Sequence, residues 1–298
     1  MNIKVLCFGL SLIAYHIIKP NDAWGQLPTT EIYSFEIKIE GDYELVLSSP
    51  QLVNSFNRDG YNNQPGYAGA DTWYISAAQD KSKFTDILFL DFKDMAYANF
   101  TFTEGISEFS PTLSLDGRSL YTVRIEKDLK TQTLWQYPVD KSGYGKNILP
   151  FLKNVGYFTQ IDPSHFAIFE VGEPQILNVY HVNTKDKKTV VQNPGRCLKT
   201  NSSGQLIFVH KLLPDLYFLK SYDHLSSKTI ALSQIKSEDF EIIDDKLILC
   251  FDGTKLVTLH LEKDKDWRVV QDLSIYGINS PNRLVYGNGR LLVINSRS

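Results

Sequence analysis

Few side chains in this sequence are spaced for covalent chemistry. A serine hydrolase of the elbow type needs a G-x-S-x-G turn to expose its nucleophile, and none is present. Neither H-E-x-x-H nor a paired-cysteine zinc pattern occurs. Gly143-Tyr144-Gly145 is a lone G-x-G in a predicted hairpin, without the strand before and helix after that a phosphate cradle needs, so it reads as a flexible turn. The run Glu262-Lys263-Asp264-Lys265-Asp266 alternates acid and base and lacks the glycine and distal glutamate of a calcium loop, so it reads as a solvated turn. Beyond residue 25 the histidines are His165, His181, His210, His224 and His260. They are spread over three of the repeats described next, which speaks against a clustered metal site and for histidines satisfied within strands and hairpins.

The elements that must position any site follow from a repeat. Asp71-Thr72, Asp116-Gly117, Asp162-Pro163, Ser203-Gly204, Asp244-Asp245 and Asn288-Gly289 each stand before a short apolar run, at steps of 45, 46, 41, 41 and 44 residues. A period of about 40 to 50 residues with several short strands per unit marks a β-propeller, in which no blade buries its faces alone. With 298 residues, 43% apolar content and 37 aromatic side chains, the chain can fill such a core. Its net charge of −3 provides neither a basic footprint for nucleic acid nor a polybasic patch for anionic lipid.

Each turn joins an inner strand A to a second strand B, which lays out the second repeat as residues 110–115, 120–125, 134–139 and 146–149. The first reads as 64–69, 72–76, 86–91 and 98–102, and the third as 156–161, 165–171, 176–182 and 188–191. The B strands are apolar at consecutive positions, as expected where both faces are covered. After the sixth turn only strand B remains, while residues 31–39 and 43–48 stand unpaired ahead of the first repeat. Pairing the two ends predicts an all-β, six-bladed propeller of four-stranded blades. In its last blade N-terminal strands C and D complete C-terminal strands A and B.

Residues 1–25 are predicted to be a signal peptide: Lys4 supplies a positive start, residues 5–18 an apolar stretch too short to span a bilayer, and Ala23-Trp24-Gly25 a cleavage site. Cys7 has no small residues before it and is not read as a lipid attachment point. Residues 26–298 are then expected to be one soluble, monomeric, periplasmic or secreted domain without membrane insertion. Cys197 and Cys250 fall in different blades and are expected to be buried thiols rather than a disulfide.

The stretch Phe109-Ser110-Pro111-Thr112-Leu113-Ser114-Leu115-Asp116-Gly117-Arg118-Ser119-Leu120-Tyr121 resembles the repeat of the TolB-like propellers, the WD40-like or PD40 family, approximately S-P-x-x-S-P-D-G-x-x-L. Asn62-Asn63-Gln64-Pro65-Gly66-Tyr67 is a looser copy. The chain is similar in this to exported members from Bacteroidetes-type bacteria. The second Pro of the pattern is Leu115, and later repeats keep only the turn and strand. The resemblance implies the fold, export and a habit of binding proteins. The amino-terminal domain that TolB carries ahead of its propeller is not expected in this sequence. The histidine-rich metal sites of propeller-type pectate-fragment lyases have no obvious equivalent.

In such a ring the six D-to-A loops converge on the mouth of the central channel. They carry Asn63 and Gln64, Glu108 and Ser110, Gly156 and Tyr157, Arg196, Glu238 and Asp239, and Asn282. Glu108, Arg196 and Asp239 are expected as a charged floor, Asn63 and Gln64 as amide partners and Tyr157 as an aromatic wall. The alternative is that these side chains bond only to neighbouring loops and water. The B-to-C loops share this face, and Leu212-Leu213-Pro214-Asp215 is unusually apolar for a loop tip. The leading expectation is a non-enzymatic binding protein for a protein, peptide or small polar ligand, without cofactor. The alternatives are a hydrolase or lactonase with calcium held by Glu108, Asp239 and Asn63, and a sugar-active module if Tyr157 or Trp73 is exposed at the mouth.

Overall fold

A strand whose successive residues are all apolar must be covered on both faces, because its side chains point alternately to either side. The computed structural model shows how this is met; it describes residues 27–41, 43–79 and 82–297, so the expected signal segment lies outside the described residues. Six antiparallel sheets, each of four strands, are built from β1 to β24. The chain opens with β1 (Thr30–Glu40) and β2 (Glu44–Leu52). Blade 1 follows as β3 (Tyr61–Gly69), β4 (Thr72–Ala78), β5 (Asp86–Asp91) and β6 (Ala96–Asn99). Blade 2 is β7 (Ser107–Leu113), β8 (Ser119–Ile125), β9 (Gln132–Pro138) and β10 (Lys146–Asn147). Blade 3 is β11 (Val155–Gln160), β12 (His165–Glu170), β13 (Ile176–His181) and β14 (Lys187–Gln192). Blade 4 is β15 (Pro194–Thr200), β16 (Leu206–Leu213), β17 (Leu216–Asp223) and β18 (Lys228–Ile235). Blade 5 is β19 (Phe240–Asp244), β20 (Leu247–Asp252), β21 (Lys255–His260) and β22 (Arg268–Asp272). Blade 6 joins β23 (Pro281–Gly287) and β24 (Arg290–Ser296) to the opening strands in the order β2-β1-β24-β23. The composite last blade expected from the two chain ends is therefore present, with β1 running antiparallel to β24 from Thr30 opposite Ser296 to Glu36 opposite Arg290.

The second strands divide their side chains between two seams. On β24, Leu291 and Val293 face blade 5 while Leu292 and Ile294 face blade 1, and all four are fully buried. On β20, Leu247 and Leu249 face blade 6 while Ile248 and Cys250 face blade 4. On β16, Leu206 and Phe208 face blade 3 while Ile207 and Val209 face blade 5. Each such side chain contributes about 1.5–3 kcal/mol by burial, in a seam that exists only while both blades are in place.

Three of the turn signals share a mechanism. Asp116 Oδ1 accepts from the Arg118 amide at 3.1 Å and from Ser114 Oγ at 2.6 Å, while Gly117 takes φ +69°. Asp162 Oδ1 accepts from the amides of Ser164 and His165 at 2.7 and 2.9 Å, and Asp244 Oδ1 from those of Lys246 and Leu247 at 2.8 and 2.9 Å. The Ser-Pro of the repeat marks a bulge in the inner strand, where Gln64 and Ser110 adopt φ +55° and +54° before Pro65 and Pro111. There Gly66 comes so close to the next blade that a Cβ would lie 2.1 Å from the Pro111 carbonyl oxygen.

Some elements differ from expectation. The last strand of blade 1 lies at Ala96–Asn99 rather than 98–102, because the amides of Phe100 and Thr101 both turn onto the Ile87 carbonyl and Phe100 folds against Tyr74. Leu212 and Leu213 are not in a loop but end β16, with only Pro214 and Asp215 between the strands. Glu108, expected at the channel mouth, lies in the seam between blades 1 and 2. Its backbone brackets Thr85, accepting from Thr85 Oγ1 and donating to the Thr85 carbonyl, and its carboxyl accepts from the Tyr137 hydroxyl at 2.5 Å. Burial pushes the Glu108 carboxyl up from the usual range, partly opposed by the hydroxyls of Thr101 and Tyr137.

Two outcomes are expected. Removing residues 30–52 strips the outer half of blade 6 and leaves β24 an open apolar edge, so size-exclusion and thermal melting should find an aggregating, non-cooperative species; an unchanged monomeric melt would refute closure by both ends. For Glu108 the folded state holds its proton to higher pH than the unfolded chain, so stability falls as pH rises from about 4.5, the ordinary glutamate value, through the raised one. Glu108→Gln keeps an acceptor for Tyr137 and should melt above the parent at pH 8, with the gap closing toward pH 4.

Candidate functional site: the channel mouth

The first strand of each blade, β3, β7, β11, β15, β19 or β23, lies innermost and meets the first strand of at least one neighbour, so side chains from distant repeats share one channel. At the end where the D-to-A loops arrive, Arg283 of β23 reaches across the ring from blade 6 to blade 3 and donates through Nη2 to the Tyr157 hydroxyl at 3.2 Å. Its Nη1 donates to Asp239 Oδ1 at 3.2 Å. Asp239 Oδ2 is held by Arg196, through Nε at 2.7 Å and through Nη2, and that same Nη2 donates to the Asn282 carbonyl at 2.8 Å. Asp239 is buried, with 6% of its side chain exposed, and a lone carboxylate there would cost several kcal/mol; two guanidiniums offset that cost.

The neighbouring acids are paired as well. Glu238 accepts from the Arg196 amide at 3.2 Å and pairs with Lys211 at 3.2 Å. One layer deeper Glu241 pairs with Lys199 at 2.7 Å and accepts from the amides of Tyr286 and Ile242 at 3.1 and 2.9 Å. Burial would push the Lys199 ammonium down, but Glu241 outweighs it and holds it above its ordinary value. Four cations thus meet three anions, and the Arg196 side chain is 35% exposed, so the mouth presents a net positive centre to solvent.

Of the nine residues expected here, Tyr157, Arg196, Glu238, Asp239 and Asn282 are assembled, the last through its backbone carbonyl. Gln64 and Ser110 form a separate pair, with Gln64 Oε1 accepting the Ser110 amide at 2.6 Å. Asn63 bonds the amide of Gln64 next to it at 2.7 Å. Glu108 is away in its seam, so the expected floor of Glu108, Arg196 and Asp239 is not formed. Nor is the oxygen set of Glu108, Asp239 and Asn63: both oxygens of Asp239 face guanidiniums, which repel a cation. Trp73 is wholly buried between blades 6 and 1 and is not available to stack on a sugar. Arg283, the strut of the network, was missed; its position one residue beyond Asn282 was the available clue. Leu212 and Leu213 are 47% and 62% exposed, directly after the Lys211 that pairs with Glu238.

The histidines correct the expectation of dispersal. His165 and His181 are register partners on β12 and β13, and His224 of blade 4 comes beside them, so that Asp162, His165 and His224 can together hold a metal ion. Cys197 and Cys250 are free thiols, and burial pushes Cys197 up to about 12. Among the described residues no helix is long and apolar enough to cross a membrane.

No family model matches the chain, and no curated protein matches it. Solved structures do. A TolB candidate from Agrobacterium tumefaciens aligns with TM-score 0.63 and 10% identity over 91% of this chain and 99% of its own. TolB from Acinetobacter baumannii aligns with TM-score 0.55 and 13% identity over 92% of this chain, which spans 65% of that protein's length. A chain of a nidogen/laminin complex aligns with TM-score 0.58 and 11% identity over 80% of this chain and 92% of its own. At these identities the likeness is one of fold, and by fold this chain is a TolB-like six-bladed β-propeller.

Proposed function

We propose that the chain is an extracytoplasmic binding protein whose channel-mouth face docks a protein or peptide. The observation that carries this reading is the strut from Arg283 to Tyr157, which ties opposite blades together across the mouth and commits the channel acids to cations. A ligand then lands on the face instead of entering the channel. Arg196 offers a partly exposed guanidinium at the centre, and Leu212 and Leu213 offer exposed apolar surface beside it. A charged or aromatic centre bordered by apolar surface suits an extended segment that brings one carboxylate and one apolar side chain. That two proteins sharing the fold are TolB or a TolB candidate, and that a third is seen in a nidogen/laminin complex, supports a protein as the ligand. Fold alone does not select the partner, and the residues at the mouth do the selecting.

The test is affinity capture from the cell envelope with the parent protein, Leu213→Asp and Arg196→Ala side by side. A partner retained by the parent should weaken at least about tenfold on each variant, the scale of losing one central contact. Leu213 is exposed and its replacement leaves the core intact, so a loss on that variant is not explained by misfolding. An identical captured set for all three proteins would refute the face assignment. Turnover of a small substrate that vanished with either variant would refute the non-enzymatic reading.

A further inference from the structure

On the face opposite the channel mouth, and away from the channel, blades 3 and 4 bring imidazoles to a turn carboxylate. Asp162 closes the A-to-B turn of blade 3 with Oδ1, as its counterparts do in blades 2 and 5. Here, however, Oδ2 is also engaged, 2.8 Å from His165 Nδ1 and 3.0 Å from His224 Nε2. His224 sits in the hairpin after β17, which Asp223 fixes by accepting from the Leu225 amide at 3.0 Å and the Ser226 hydroxyl at 2.6 Å. Both ring nitrogens of His224 are closed off from solvent, and neither has a hydrogen-bond partner of acceptable geometry. A buried imidazole without a hydrogen-bond partner, 3.0 Å from a carboxylate oxygen, is what a cation shared by the two groups would satisfy.

The geometry points to a site for one borderline divalent transition cation, of the zinc class, held by Asp162 Oδ2, His165 Nδ1 and His224 Nε2. Two nitrogens and one oxygen suit zinc and its nickel and copper neighbours, and provide too few oxygens for calcium or magnesium. Bond lengths of about 2.0–2.2 Å in a tetrahedron place ligand atoms roughly 3.3–3.5 Å apart, so Asp162 Oδ2 needs to draw back from each imidazole by a few tenths of an ångström, and the three ligand atoms already lie within 4.8 Å of one another. His181 is not a fourth ligand. Its Nδ1 accepts from the amides of Asn183 and Thr184, each at 3.2 Å, which leaves the proton on Nε2. A cleft of about 130 Å³ borders the His165 and His224 imidazoles and is lined further by His181, Asp186, Lys187 and Tyr222, so water or an anionic ligand held there would be the fourth ligand. With two ligands from blade 3 and one from blade 4, the ion also clamps that seam.

The experiment is a titration of the chelator-stripped protein with Zn²⁺ alone, followed by calorimetry and thermal melting. One equivalent should bind, and a hundredfold excess over Kd should raise the melting temperature by about 5 °C. Co²⁺ in its place should give the strong visible bands of four-coordinate nitrogen and oxygen ligation. Asp162→Asn, which keeps the turn-capping oxygen, and His224→Ala should each weaken uptake at least about tenfold. His260→Ala is the control, since the Nδ1 of His260 accepts from the amides of Glu262 and Lys263 in blade 5, and it should leave binding unchanged. Absence of saturable uptake, a six-coordinate Co²⁺ spectrum, or equal uptake by all three variants would overturn the site and leave a metal-free Asp-His-His cluster.

Discussion

Two-sided burial of the second strand is the constraint on which the rest of this molecule depends. Leu291 to Ile294 cannot be covered from one side, because alternate side chains leave the strand in opposite directions. Every blade therefore needs a neighbour on each flank, and a row of blades with that need has no stable end. Closing the row into a ring removes both ends at once. The chain does so by lending β1 to β24, which places the first and last described strands in one sheet and makes the ring's integrity depend on the longest-range pairing in the fold.

The ring in turn sets where polar chemistry can occur. Inner strands from six blades crowd their side chains into a narrow channel, where a single ionised acid would be poorly solvated. The network at the mouth resolves this by sharing: Asp239 serves two arginines, one of them extending to a tyrosine on the opposite blade. That solution stiffens the mouth and removes free oxygens from it. It leaves Arg196 partly exposed, while Leu212 and Leu213 at the end of β16 are exposed apolar surface.

A second polar theme arises from the turns. Each turn carboxylate needs only one oxygen to cap its amides, so the other is free to acquire a partner. In blade 2 the same Asp116 oxygen also takes the serine hydroxyl, whereas in blade 3 the second oxygen of Asp162 faces two imidazoles. A structural device shared by blades 2, 3 and 5 is thereby turned into a candidate ligand site at one position, without altering the strands that flank it.

Much of the architecture was legible in the sequence because its causes are local. Turn residues recur at a near-constant step, the second strands are apolar at consecutive positions, and the mismatch between chain ends implies the composite blade. The pairing of His165 with His181 was also legible in principle, since both lie at the open end of the β12–β13 hairpin. Their approach to His224 was not, because it depends on how a hairpin of the next blade leans over the seam. The same holds at the channel. Repeat counting brought Arg196 and Asp239 to the mouth, but it could not separate Glu108, whose backbone bonds to Thr85 turn its side chain into the seam. The sequence by itself determined the number of blades, their strand order and how the ring closes, since these follow from spacing and alternation along the chain. Which charges meet across the ring, and which histidines share a carboxylate, was decided only by tertiary packing, because such contacts depend on side-chain direction between blades that no periodicity encodes.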